Sequence, residues 1–386
     1  MKKKFIFFLS QPIDERNIDR LGFKYLNKSY NCEIWDISLI FNRRIAKYQK
    51  KKNYNNKNLF LIKNKTEFFL KILKLNNFYF IDLSTYNSFF YLLVQILAAN
   101  KGIKISITGL NLPQTIFISK KKKFYNIFFS YKFFSIINLF LNFLKNKLIN
   151  FLTPISKILF YAGKKDPKLL LPCKYKIQSH SIDFDYYLKA KKKNKQNKNG
   201  IVFLDQAYGD HPEYYLSFGK KSKILDLYLS ELHIFLCKIS NIYNNKIIIA
   251  LHPRATKKYE KKIKNKFTQK NFYITKNSSA SYINSSNFVI CHMSSSHQIA
   301  VLNYKAIIFS YSKLFNNRET HYVKSLANSL NLNAVQMNQK NLNLNLDIDK
   351  KKYKEYINNY ITTNKKSKKI SWKIITSSLK KIKIYE

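Results

Sequence analysis

The sequence predicts an α/β protein of two Rossmann-like domains that face each other across a cleft. Three observations carry that expectation. Short apolar runs alternate with helical stretches along nearly the whole chain, as a parallel, doubly wound sheet requires. The 386 residues, 46% of them hydrophobic, suffice for two domains with sizeable cores. Four histidines, His180, His252, His292 and His297, fall at or just after carboxyl ends of predicted strands, where such sheets bind ligands.

In chain order, "FIFFLS" (5–10) reads as the first strand. Its lysine-rich start imitates a signal peptide, but the apolar run is shorter than a secretory core. A helix over 17–29 and a strand over 32–38 follow. Strands over 78–84 and 103–109 come next, with an apolar helix at 87–99 between them. Segment 124–161 is the most apolar part of the chain. Its longest uncharged run, "FFSIINLFLNFL", is too short to span a bilayer. Lysines recur through it, giving an amphipathic pattern that fits a core helix, a connection between domains or a helix in a membrane interface, with connection plus interface contact preferred.

A second alternating series begins beyond it. Strands are expected over 157–163, 175–181, 200–206, 246–253, 271–276, 287–294 and 305–311. Helices fit over 222–240, 256–267, 279–286 and 296–303, and 189–200 reads as a polar loop. The expected domains are therefore 1–155, including the amphipathic connection 124–155, then 156–335, then a Lys-rich closing helical tail over 336–386.

The formal net charge of +49 ordinarily points to nucleic acid or an anionic membrane. Here Lys, Asn, Ile, Phe and Tyr dominate together, and these residues share AT-rich codons, so genome composition explains much of the lysine excess. The lysines are also spread along the chain, with no nucleic-acid-binding motif. No specific nucleic-acid partner is expected. Peripheral contact with the anionic inner face of the cytoplasmic membrane is expected. Four cysteines without CxxC spacing support neither a zinc cluster nor a disulfide framework, and fit a reducing cytoplasm. Against this background rare residues are informative: only six of 70 basic residues are Arg, and there are seven Gly.

One of those six arginines stands in "IIIALHPRAT" (247–256). Pro253 fixes a turn that cannot extend the sheet, holding His252 and Arg254 at the strand end, with a helix starting near Thr256. Imidazole, guanidinium and free N–H groups there suit a phosphate. In "ICHMSSSHQIAVL" (290–302), His292 ends a strand, and Ser294, Ser295 and Ser296 either cap the next helix or hold a second edge of the same phosphate. "FLDQAYGDHPEYY" (203–215) offers Asp205, Asp210 and His211 around Gly209. A carboxylate here suits a general base toward an acceptor hydroxyl; Asp210 is preferred and Asp205 next, although capping and turn formation suit either. Asp183 and Asp185 form an Asp-x-Asp that also fits a helix start, and no metal is expected. GxxxxGK[ST], GxGxxG, HExxH and GxSxG are all absent, and no cofactor is expected.

The His-Pro-Arg at 252–254, followed by "HMSSSHQIAVLNYKAIIF" from His292, resembles the C-terminal half of bacterial surface-polysaccharide glycosyltransferases of the GT-B type. It is most similar to the sialyltransferase and polysialyltransferase group, which carries an acidic motif, a His-Pro motif and a Ser-Ser/Thr motif in that order. His252 and Pro253 match the second, and Ser294, Ser295 and Ser296 the third. Asp205, Gly209 and Asp210 stand where the first belongs, but depart from its contiguous acidic pattern. "FLSQPIDERNIDRLGFKYL" and "SHSIDFDYYL" are similar to proteins of lipopolysaccharide and capsule clusters. The resemblance implies metal-independent transfer of a sugar from a nucleotide-activated donor, with a CMP-linked nonulosonate as one candidate. The acceptor would be lipid-linked or an oligosaccharide of lipopolysaccharide or capsule. Two other readings stay open: a CDP-linked polyol-phosphate transferase, and a basic nucleic-acid- or membrane-binding protein.

Overall fold

The computed structural model describes residues 2–10, 13, 15–41, 57–84, 88–110, 133–165, 167–191, 200–211, 224–276, 278–342 and 344–382. Residues 87, 124–132, 192–199, 212–215, 222–223, 343 and 383–386 of the elements expected above lie outside the described residues. The first half runs β1 (Lys4–Leu9), α1 (Glu15–Arg20), α2 (Phe23–Leu26), β2 (Asn31–Asp36), α3 (Ser38–Phe41), β3 (Leu59–Leu61), α4 (Lys65–Leu73), β4 (Phe78–Asp82), α5 (Phe89–Lys101), β5 (Gly102–Ile107), α6 (Phe133–Leu152), β6 (Ile158–Tyr161) and β7 (Tyr175–Gln178). Its seven strands pair in parallel in the order β3-β2-β1-β4-β5-β6-β7.

The linking helix α7 (Ile182–Lys191) leads into β8 (Ile201–Leu204), α8 (Ile224–Tyr243), β9 (Ile247–Ala250), α9 (Lys257–Lys266), β10 (Phe272–Thr275), α10 (Ser279–Ser285), β11 (Phe288–Cys291), α11 (His297–Leu302), β12 (Ala306–Tyr311), α12 (Asn317–Ser329) and β13 (Val335–Gln336). These six strands are also parallel, in the order β10-β9-β8-β11-β12-β13. Each sheet winds outward from its first strand on one side, then returns to the other. The switch points lie between β1 and β4 and between β8 and β11, where ligands bind in this architecture. The expected fold class, α/β with two Rossmann-like domains, is the one the chain adopts.

The strands follow from their residues. "IVFL", "IIIA" and "FVIC" at β8, β9 and β11 are buried at every position, because helices cover both faces of a parallel sheet. In β1 the two-residue period splits the side chains between cores. Phe5, Phe7 and Leu9 join one cluster, and Ile6 and Phe8 the other. The run after the lysine-rich start is thus a strand, as expected, and it lies inside the sheet.

Three expectations change. The boundary at 155/156 fails, because β6 and β7 extend the first sheet: Ile105 pairs with Ile158, and Ile158 with Tyr175. The apolar segment is consequently no interdomain connection. Its described part, α6, is the crossover helix between β5 and β6 and packs on α5. The helix expected over 17–29 breaks at Gly22, whose left-handed φ of 70° separates α1 from α2. A Cβ there would stand 2.1 Å from the indole of Trp372.

That tryptophan belongs to the tail, which is helical as expected: α13 (Lys350–Tyr356), a π-helical turn (Ile357–Ile361) and α14 (Ser371–Ile382). The tail returns to the first domain. Asn358 and Asn359 carbonyls accept from the N–H groups of Lys164 and Lys165 at 3.0 and 3.1 Å, and Ile361 O accepts from Ser181 N–H at 2.8 Å. Trp372, Ile375 and Leu379 complete a core face of the first sheet, and Trp372 Nε1 donates to Arg20 O at 2.9 Å.

Candidate functional site

Three loops meet at the carboxyl edge of the second sheet, after β8, β9 and β11, with β8 lying between the other two strands. The loop after β8 turns sharply: Ala207 and Gly209 both take left-handed φ values, 50° and 79°. Gly209 is therefore where the backbone requires a glycine. Ala207 O accepts from the N–H groups of Asp210 and His211 at 2.9 and 2.8 Å.

Both acids of this loop act as struts toward the loop after β9. Asp205 is buried, and its Oδ2 accepts from His252 N–H at 3.1 Å. Its Oδ1 accepts from Ala207 N–H at 3.0 Å and from Tyr259 hydroxyl at 2.7 Å. Burial raises its pKa, against the hydrogen bonds from Tyr259, His252 and Ala207, which favour the charged form. Asp210 is buried as well. Its Oδ2 accepts from Thr256 N–H at 3.0 Å, and its Oδ1 from Thr256 hydroxyl at 3.1 Å. Thr256 in turn caps α9, accepting from Tyr259 N–H at 3.1 Å. One of these acids was expected to take the acceptor's proton; both oxygens of each carboxylate hold N–H or O–H donors in this structure.

What they position is the His-Pro-Arg turn. His252 is half-buried, and its Nδ1 accepts from Arg254 N–H at 3.2 Å. The neutral ring then carries its proton on Nε2. The His211 ring lies against it, centroids 4.6 Å apart at 71°. Pro253 is exposed. Arg254 is 9% exposed, the only buried lysine or arginine among the described residues. Holding a guanidinium there costs free energy that a surface lysine would not incur.

The serine loop is built differently. His292, expected to touch phosphate, is fully enclosed: Nδ1 donates to Ser310 O at 2.5 Å and Nε2 accepts from Tyr228 hydroxyl at 2.9 Å. Burial pushes its pKa down to about 4, so it packs as a neutral ring behind the loop. His297, also fully buried, joins Ser294 O through Nδ1 at 2.6 Å and Tyr356 hydroxyl through Nε2 at 2.8 Å. It ties the serine loop to the tail, and its pKa too is lowered to about 4 by burial. Ser294, Ser295 and Ser296 are half-buried, and Ser294 hydroxyl accepts from Ser296 N–H at 3.4 Å.

His180 and the Asp-x-Asp lie apart, at the domain crossing. His180 Nδ1 shares a hydrogen bond of 2.6 Å with Thr362 hydroxyl. Asp185 accepts from Ser371 N–H at 2.8 Å and Ser371 hydroxyl at 3.0 Å, and burial raises its pKa to about 7. No metal-competent group of His, Cys, Asp or Glu occurs among the described residues.

The sequence reading missed Thr256 and Tyr259, the partners of the two acids. Only Thr256 carried a signal, as the expected start of the helix. It also missed Gln206 and Gln298, whose amide oxygens are buried without a hydrogen-bond partner among the described residues, after β8 and in the first turn of α11.

No protein-family model and no curated protein matches the sequence. Among solved structures, the chain is similar to MurG of Acinetobacter baumannii over 99% of its length and 100% of that chain, at 9% identity and a TM-score of 0.47. It is similar to the UDP-GlcNAc 2-epimerase of Methanocaldococcus jannaschii over 98% and 99%, at 13% identity and a TM-score of 0.47. Phytolacca americana UGT2, solved with UDP-2-fluoro-glucose and pterostilbene, is similar over 92% and 89%, at 8% identity and a TM-score of 0.42. Likenesses of this size assign neither an activity nor a ligand to the chain.

Proposed function

We propose that the chain is a metal-independent glycosyltransferase that binds a nucleotide-activated sugar at the carboxyl edge of its second sheet. The observation that carries this reading is the His252–Pro253–Arg254 turn, held at the end of β9 by two buried carboxylates. When the glycosidic bond to the donor breaks, the leaving phosphate gains charge. Arg254 and the Nε2–H of His252 stabilise that charge from fixed positions, and the hydroxyls of Ser294, Ser295 and Ser296 hold the other edge. His211 receives the proton of the acceptor hydroxyl, while Asp205 and Asp210 keep the two histidine-bearing loops in register. The acceptor is a lipid-linked or oligosaccharide component of lipopolysaccharide or capsule, as the sequence resemblance implies.

The test offers CMP-, UDP- and GDP-activated sugars with a lipid-linked oligosaccharide acceptor, reading free nucleotide and acceptor mass. Nucleotide release with a sugar-sized mass gain is expected. A gain that includes phosphorus from a CDP-alditol would replace the reading with polyol-phosphate transfer. No release from any donor, with salt-sensitive DNA binding that survives His252→Ala, would overturn it in favour of a basic binding protein.

A further inference from the structure

Helix α6 is a crossover helix, and over residues 141–152 its apolar stripe is exposed. Of its residues 141–152, only Ile149 is buried. At about 100° per residue, Leu141, Leu144, Leu148, Phe151 and Leu152 fall within an arc of roughly 100°. All five are exposed, Phe151 at 85%. Lys145 and Lys147 lie just beyond the two margins of that stripe, and Asn142, Asn146 and Asn150 occupy the opposite side. Lys145 Nζ stands 5.9 Å from the ring centroid of Phe89 on α5. Exposed Phe89 and Leu93 there widen the apolar surface.

We propose that this face docks the protein on an anionic bilayer. The leucines and Phe151 enter the boundary between headgroups and acyl chains, and the lysines snorkel to lipid phosphates. Charge selects this occupant. Residues 83–165, the stretch of chain that includes this helix, hold twelve lysines and no acidic residue. A second copy, with the same net charge of +49, would bring like charge against like. The described helices include none long and apolar enough to cross a membrane, so the contact is interfacial. The inference is independent of the proposed sugar transfer, since it concerns only the outer face of the first domain.

Flotation of the full chain with phosphatidylcholine vesicles, with and without 30% phosphatidylglycerol, tests it at 150 mM and 1 M NaCl. Binding to the anionic vesicles is expected to exceed binding to neutral ones by at least tenfold and to weaken in high salt. Leu144→Ser with Leu148→Ser is expected to lower vesicle binding at least tenfold. Both side chains are exposed, so the melting temperature stays as in wild type. Lys145→Glu with Lys147→Glu is expected to weaken binding to anionic vesicles only. No flotation of the wild type, or wild-type flotation of the serine variant, overturns the proposal. So does a concentration-dependent dimer that the serine variant abolishes while vesicles have no effect.

Discussion

Replacing Asp205 by Asn separates a strut from a base. The carboxylate is 3% exposed and accepts three hydrogen bonds between 2.7 and 3.1 Å, from Tyr259 hydroxyl and the N–H groups of Ala207 and His252. An asparagine that keeps its oxygen at the Oδ1 position retains the first two. Its NH2 then faces His252 N–H, donor against donor. The loss is one charge-assisted bond, about 1.5–3 kcal/mol, together with an unsatisfied buried N–H at about 1–3 kcal/mol. Removing a carboxylate whose pKa burial has raised offsets part of this. A net destabilisation of about 2 kcal/mol is expected, read from urea unfolding followed by circular dichroism. Nucleotide affinity should fall at least tenfold, because the turn bearing His252 and Arg254 loses its tether. Asp205→Ala leaves all three donors unpaired and should cost about 3–5 kcal/mol. Wild-type stability and affinity in Asp205→Asn, with turnover abolished, would refute the strut and restore Asp205 as the base.

Other outcomes follow from the same contacts. Trp372→Ala empties a site against Phe7 and removes the bond to Arg20 O, and should cost about 3–5 kcal/mol in denaturant titration; a loss under 1 kcal/mol would show that the tail does not complete the first core. Gly22→Ala adds a Cβ 2.1 Å from the same indole at a φ of 70°, and should fail to reach wild-type melting temperature by many degrees; a wild-type melting curve would deny the contact. Stability should also vary with pH on both sides of 6.5. Burial holds His180, His292 and His297 at about 4 in the fold, against an ordinary 6.5, so their stabilisation is lost as pH falls from 6.5 toward 4. Asp185 is raised to about 7 from 3.8, so it acts oppositely, and stability declines as pH rises from about 4 to 7. Asp36 and Asp205, also raised by burial, act in the same sense as Asp185, so acids oppose the histidines below pH 6.5 and act without them just above it. Asp185→Asn keeps an acceptor for Ser371 and should flatten that upper limb in a pH series of melting temperatures; an unchanged limb would assign it to other groups.

The strands were legible because a buried parallel strand is a short unbroken apolar run, as in "IIIA" and "FVIC". The His252–Pro253–Arg254 turn was legible because a proline and a scarce arginine closed such a run. Sheet membership was not. Whether β6 belongs to the first or second domain depends on Ile105 pairing with Ile158 across a long crossover, and no local pattern encodes that register. The same distance hid the partners of the acids: Asp210 meets Thr256 and Asp205 meets Tyr259 only once β8 and β9 lie side by side. His292 looked like a ligand because it ends a strand. Tyr228 and Ser310, which enclose it, come from a helix and a neighbouring strand. Gly22 was visible as a rare glycine within a helical pattern, but its reason, Trp372, arrives from the opposite end of the chain.

The most direct measurement is a thermal-shift panel of CMP, CDP, UDP, GDP and ADP, with and without Mg²⁺, on wild type and on His252→Ala combined with Arg254→Lys. The second substitution keeps the buried charge but removes the planar fork. One nucleotide should raise the wild-type melting temperature without Mg²⁺, by an amount that grows with the logarithm of its concentration over Kd. The double variant should lose that shift while melting within a few degrees of wild type on its own. Silence from every nucleotide, or an equal shift in the variant, would contradict a donor phosphate at this turn.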